Sequence, residues 1–226
     1  MAANDQLIVA AIVVAAGSGA RLGADVPKAF VRVGTRTLLE HAAGRLAAHP
    51  RVATVVIAAP GEYVEQARTL VPDAVVVAGG RTRQQSVARA LAAVPADVDL
   101  VLVHDAARAF VPVEVVGRVI AALDAGAEGV VPTLPVSDTI RTVEPESGEL
   151  GDLVDRSRLL AMQTPQGFRR DVLAKAHAAG ADEAATDDAA LVEALGRRVV
   201  AVRGDERAFK VTVPLDLAIA EALLDD

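Results

Sequence analysis

At 226 residues and 52% hydrophobic composition, the chain is long enough to bury a full core as one α/β domain, and its length demands no second one. A formal net charge of −7, with 23% charged residues, sets the overall field against nucleic acid and anionic membrane surfaces, so any phosphate site has to be a local basic pocket. Cysteine is absent, which excludes disulfide frameworks, thiolate zinc sites and thiol nucleophiles, and fits a reducing cytoplasm.

The N-terminus lacks a basic leader region, and the apolar run Leu7 to Ala16 is about half the length of a membrane span. It reads as a buried strand, Leu7 to Ala15. Further short, β-branched apolar runs follow at Val52 to Ala59, Ala74 to Ala78, Leu100 to His104 and Gly129 to Val131. Helix-period segments alternate with them: one opened by the capping box Thr37-Leu38-Leu39-Glu40, then Tyr63 to Leu70, Gln84 to Ala93 and Val113 to Ala125. That alternation predicts βαβ units on a mostly parallel sheet, a Rossmann-like three-layer α/β sandwich.

From Pro135 to Arg158 the pattern breaks. Asp138 to Val143 and Glu149 to Asp155 are polar, alternating segments around the turn Glu144-Pro145-Glu146-Ser147-Gly148, and predict a β-hairpin projecting from the sheet. A lone hairpin is marginally stable in water, so a partner subunit is expected to cover it. Beyond it the sequence predicts a strand at Leu159 to Gln163, helices at Arg169 to Ala179 and Asp188 to Leu195, a strand at Val199 to Val202 and a last helix from Pro214.

In open α/β sheets ligands bind beyond the carboxyl ends of the strands. After the first strand comes Ala15-Ala16-Gly17-Ser18-Gly19-Ala20-Arg21-Leu22, then Pro27-Lys28. Gly17 and Gly19 let backbone N–H groups converge on phosphate oxygens, although two glycines alone also make an ordinary strand-to-helix turn. Arg21 and Lys28 add a planar fork and a point charge to the same loop. No Lys-Ser/Thr follows the glycines, which excludes a P-loop. Leu22 stands where a dinucleotide fingerprint needs its third glycine.

The loop resembles the signature of the sugar-nucleotide pyrophosphorylase superfamily. With Gly79 to Val87, Val103-His104-Asp105-Ala106-Ala107-Arg108, Asp138-Thr139-Ile140, Val154-Asp155-Arg156, Gln163-Thr164-Pro165-Gln166, Thr186-Asp187-Asp188 and Phe209 to Thr212, the chain resembles the 2-C-methyl-D-erythritol 4-phosphate cytidylyltransferase family almost throughout its length. The resemblance implies one nucleotidyltransferase domain over residues 1–226, with residues 135–158 as an arm that makes a homodimer. It implies CTP and methylerythritol phosphate as substrates, Mg²⁺ across the triphosphate and a cytoplasmic enzyme of non-mevalonate isoprenoid synthesis. Nucleic acid and membrane are not expected partners.

Carried over residue by residue, CTP would be bound by Ala15, Ala16, Gly17, Ser18, Gly19, Gly80, Arg83, Ser86 and Asp105. Arg21 and Lys28 would stabilise the transition state, and Arg156 and Lys210 would place the acceptor phosphate. Asp105, Arg108, Thr139, Arg141, Thr164 and Thr186 would complete the acceptor side. Arg81 and Thr82 replace acidic residues that other members often carry, so only the backbone contacts of the base loop transfer. Read from position alone, Asp105 closes an apolar run where a carboxylate can meet ribose hydroxyls or, directly or through water, the metal. Lys210, flanked by Phe209 and Val211, reads as a lysine on a late strand that needs an anion to offset its burial. Asp187 with Thr186 reads as a helix cap, and His104 as structural. The rival readings are a ribitol 5-phosphate cytidylyltransferase or other sibling transferase, and a non-catalytic nucleotide-binding protein.

Overall fold

A computed structural model describes residues 7–16, 22, 25–180 and 187–224. The first βαβ half runs β1 (Val9–Val14), the short pair β2 (Arg32–Val33) and β3 (Arg36–Thr37), α1 (Leu38–Ala47), β4 (Val52–Ala59), α2 (Val64–Leu70), β5 (Val75–Ala78), α3 (Arg83–Ala92), β6 (Leu100–Asp105) and α4 (Val113–Asp124). The second half holds β7 (Gly129–Pro135), β8 (Ile140–Val143), β9 (Leu150–Val154), β10 (Leu160–Met162), β11 (Gln166–Arg169), α5 (Arg170–Ala179), α6 (Asp188–Ala194), β12 (Val199–Arg203) and α7 (Pro214–Ala222).

β5, β4, β1 and β6 are parallel neighbours in that order. β11 then enters antiparallel between β6 and β7, with Gln166 opposite Val103 and Gly167 opposite Val130. β10 continues along the same edge of β7, and β12 runs parallel on its other edge.

The strand period of two sorts the core into two layers. Val9, Ala11, Val13, Leu100 and Leu102 face one cluster with Leu39 and Leu46 of α1 and Val116, Val119 and Leu123 of α4. Ala10, Ile12, Val101 and Val103 face the other, with Val87 and Leu91 of α3, Leu173 of α5 and Val192 of α6. The sheet is therefore covered by helices on both faces, which is the sandwich that the alternating pattern predicts.

Local chemistry fixes the helix starts. Thr37 Oγ1 accepts from Glu40 N at 3.2 Å while Glu40 Oε2 accepts from Thr37 N at 2.7 Å, the reciprocal box read from the sequence. Asp187 caps α6 by accepting from Ala190 N at 2.9 Å. Pro214 opens α7, where its missing N–H is no loss.

The arm forms as expected: β8 and β9 pair antiparallel as a separate two-stranded sheet. Gly148 takes φ +74° at its turn, a conformation that favours glycine. One strand goes unpredicted and one expectation fails. β11 has the single large apolar residue Phe168 among Gln166, Gly167 and Arg169, so no apolar run announces a strand there. Conversely, Lys210 is not on a strand. Residues 209–213 are an irregular extended segment before α7, pinned by Val211 N donating to Ala107 O at 2.8 Å.

Candidate active site

The carboxyl ends of β1, β5 and β6 bring three loops together. Ala15 is buried, donating its N–H to Ala58 O at 2.9 Å, and Ala16 follows it. The loop after β5 approaches so closely that a Cβ on Gly79 would lie 2.9 Å from the Cβ of Ala16, and one on Gly80 would lie 2.3 Å from the Cβ of Gln85. Gly79 is needed for that approach, which joins the two loops, and Gly80 for the tight turn that its own loop makes onto α3. Gly17, Ser18, Gly19, Arg21 and Thr186 lie outside the described residues.

Ser86 and Thr82 build the base loop from within. Gly80 N donates to Ser86 Oγ at 3.0 Å, and Ser86 Oγ donates to Thr82 O at 2.9 Å. Thr82 also caps α3, accepting from Gln85 N at 3.1 Å. The Ser86 side chain is fully buried, so it shapes the loop, and its proton is already committed to the backbone. Sequence reasoning placed Ser86 on the base and missed this internal bracing by Thr82.

Asp105 stands at the centre. Its Oδ1 accepts from Arg83 Nε at 3.1 Å and its Oδ2 from Lys210 Nζ at 2.8 Å. Burial opposes the charge, but Arg83 and Lys210 outweigh it and hold the Asp105 carboxyl well below the usual carboxylate range. The anion that Lys210 requires is thus Asp105, and the lysine side chain is half exposed rather than sunk in a sheet.

Arg83 in turn donates Nη1 to Asp188 Oδ2 at 2.6 Å. Burial works against its charge, yet the two carboxylates, Asp188 first, keep it firmly protonated. Asp188 is 1% exposed and also meets His177 Nε2 at 2.8 Å through Oδ1. Nothing in the sequence reading assigned Asp188. The doublet Asp187-Asp188 held the signal, because one carboxylate caps the helix and the second is left to find a partner.

Thr164 and His104 fix the back of the site. Thr164 Oγ1 accepts from Asp105 N at 3.1 Å and lies 2.9 Å from His104 Nδ1. Arg108 O, a carbonyl, can only accept from His104 Nε2 at 3.2 Å, so in the neutral ring Nε2 carries the proton and Nδ1 accepts from the Thr164 hydroxyl. Burial is the main cause that pushes the His104 pKa down to about 4. The folded protein therefore resists a proton that the unfolded chain accepts below about pH 6.5. Stability from this group is complete above that pH and is lost as pH falls toward 4, by about 3 kcal/mol. His104→Gln is expected to abolish that part of the acid sensitivity. Chemical denaturation at pH 7, 5.5 and 4 checks it, and parallel pH profiles for variant and wild type would refute it.

Arg108 donates Nη1 to Ala208 O at 2.8 Å and Nη2 to Met162 O at 3.1 Å. Its Nε is buried and has no hydrogen-bond partner among the described residues. Lys28 opens a 3₁₀ turn after Pro27, anchored by buried Ala29 and Phe30, whose ring lies 4.7 Å from that of Tyr63.

The arm residues stand apart from this cluster. Thr139 is exposed, Arg141 donates to Gly151 O, and Arg156 donates to Ser137 O. Among the described residues none of the three bonds to the strand-end cluster.

Comparison with known proteins agrees with the geometry. Residues 9–226 match the family described as 2-C-methyl-D-erythritol 4-phosphate cytidylyltransferase. The protein of that name from Rhodococcus jostii (strain RHA1) is 51% identical over 219 residues, covering 96% of each chain. Its counterpart from Streptomyces avermitilis is 48% identical over 228 residues, covering 95% of this chain and 91% of the other. The crystal structure of the enzyme from Thermus thermophilus superposes with a TM-score of 0.82 at 43% identity, covering 97% of this chain and 100% of that one. With an antiparallel β11 inside an otherwise parallel core and matches over nearly its whole length, this chain belongs to the 2-C-methyl-D-erythritol 4-phosphate cytidylyltransferase family.

Proposed function

We propose that the chain transfers the cytidylyl group of CTP to 2-C-methyl-D-erythritol 4-phosphate, giving 4-diphosphocytidyl-2-C-methyl-D-erythritol and pyrophosphate for isoprenoid precursor synthesis by the non-mevalonate route. The observation that carries this reading is the junction of the Ala16 and Gly79-Gly80 loops beside the Arg83–Asp105–Lys210 cluster. A phosphate oxygen of the acceptor attacks the α-phosphorus of CTP. A new P–O bond forms as the bond to the β-phosphate's bridging oxygen breaks, and pyrophosphate leaves with those electrons. The attacking monoester is already a dianion near neutral pH, so no side chain has to remove a proton.

Catalysis then consists of holding two anions together and countering charge on the α-phosphoryl oxygens and leaving group. Arg21 and Lys28 take the second task. Lys210, Arg156, Arg108, Thr139, Arg141, Thr164 and Thr186 serve the acceptor, and Ala15 to Gly19, Gly80, Arg83, Ser86 and Asp105 serve CTP. Lys210 is suited to its part because it is half exposed and tethered to Asp105.

Mg²⁺, when bound, offsets charge along the triphosphate. Among the described residues no group of three potential ligands could cage a metal, and both Asp105 oxygens are engaged. That donor set fits a cation carried on phosphate and water, which Asp105 would meet directly or through water.

The arm supports a homodimer: Val143, Leu150 and Leu153 are exposed on it, more apolar surface than a solvated hairpin needs. No helix among the described residues is long and apolar enough to cross a membrane; a cytoplasmic location is proposed on the family resemblance.

Pyrophosphate release measured with CTP, UTP, ATP and GTP against methylerythritol phosphate and ribitol 5-phosphate tests the reading. Release confined to CTP with methylerythritol phosphate is expected. Release confined to ribitol 5-phosphate moves the function to the sibling transferase, and no release with any pair leaves a nucleotide-binding protein.

A further inference from the structure

The Arg83 side chain carries three nitrogens, and two of them are taken. Nε bonds Asp105 and Nη1 bonds Asp188, while Nη2 makes no hydrogen bond to any described residue. The orientation of the guanidinium is therefore set by two carboxylates from different elements, one at the end of β6 and one at the start of α6.

Asp188 is seated firmly enough to act as the fixed end. Gln166 of β11, itself 2% exposed, accepts from Ala189 N at 3.2 Å and donates to Asp187 Oδ2 at 2.8 Å, tying the first turn of α6 to the sheet. His177 of α5 occupies Asp188 Oδ1 from the other side, leaving Oδ2 for Arg83. Such a buried carboxylate needs paired partners to remain ionised, and the Arg83 guanidinium is one of them.

We propose that Asp188 is a positioning residue for nucleotide binding: it holds one edge of the Arg83 guanidinium so that the Nη2 edge is presented to CTP and the spacing from α3 to Asp105 stays fixed. This rests on the CTP reading above. Without Asp188, the freed guanidinium can turn both of its forks onto Asp105, displacing Lys210 and withdrawing the edge meant for the nucleotide. Asp188 never touches substrate in this scheme. Its effect passes entirely through Arg83.

The test is calorimetric titration of CTP, without acceptor, into wild type, D188N, D188E, R83Q and the double variant D188N/R83Q, with thermal midpoints measured in parallel. D188N is expected to weaken CTP binding at least tenfold, with acceptor KM within threefold of wild type. D188E, which keeps the charge one methylene further out, falls between. In the R83Q background D188N adds less than twofold, because its route of action is gone.

A purely structural role lowers the thermal midpoint of D188N and leaves the CTP dissociation constant in place. That result in folded D188N or D188E overturns the proposal, as do losses that multiply in the double variant. If D188N does not fold, D188E and R83Q decide, and wild-type CTP affinity in R83Q also overturns it. Wild type that fails to bind CTP defeats the parent reading instead.

Discussion

Lys28→Ala should lower kcat by roughly 10²–10³-fold while the protein stays folded. The lysine stands at the head of a short 3₁₀ turn whose anchorage is the burial of Ala29 and Phe30, so truncating it removes charge without removing core. Its proposed work is on charge that develops as pyrophosphate departs, so kcat should fall further than KM for CTP rises. Lys28→Arg should recover only part of the loss, because a planar fork cannot replace a compact ammonium at one point. Arg21 is expected to behave alike. Steady-state kinetics with methylerythritol phosphate checks this, and turnover within tenfold of wild type would remove Lys28 from the chemistry.

The second large effect is expected at Asp105. Three cations converge on it: Arg83 and Lys210 by direct bonds, and Arg108 through space. Burial already depresses the Arg108 pKa, with Asp105 its main support and Arg83 a repelling neighbour. Asp105→Ala leaves those cations facing one another, which should cost about 3 kcal/mol and lower the thermal midpoint by roughly 10 °C at pH 7.

Turnover should fall more than a hundredfold as Lys210 loses its tether. The sign with pH follows from the depressed carboxyl. Its stabilisation is present above the ordinary carboxylate pKa and is lost as pH drops below it, so variant and wild type should converge in acid. That window lies below the one assigned to His104, and the two can be read separately. Equal thermal midpoints at pH 7 would contradict the account.

Much of this was legible from residues alone because it is local. A capping box, a Pro-started helix and a Gly-turned hairpin each depend on neighbours within a few positions, and Thr37, Pro214 and Gly148 are where they were expected. The parallel core was legible because burial on both faces leaves continuous apolar runs. β11 was not, since Gln166 and Gly167 gain their place from flanking strands rather than from their own pattern.

Lys210 was recognised as needing an anion, but its partner lies 105 residues away and no spacing rule reaches that far. Arg83 was seen as a cation near the base loop, whereas Asp188 and His177 complete its surroundings only through tertiary contact. Family resemblance supplied the roles of Thr139, Arg141 and Arg156, which their exposed positions in one chain do not by themselves reveal.

The reversed direction of β11 has a consequence for how such a site can diversify. In a purely parallel sheet, only segments that follow a strand reach the ligand edge. Here a segment that precedes a strand reaches it too, because Gln166 lies opposite Val103 near the end of β6. Thr164 is thereby delivered to the backbone of Asp105 from the later half of the chain. In the proposed scheme the CTP-facing residues consequently all precede α4, while the acceptor-facing ones, Asp105 and Arg108 excepted, follow it. Substitutions in the later stretch can retune what is joined to the nucleotide without rewriting the loops that receive it.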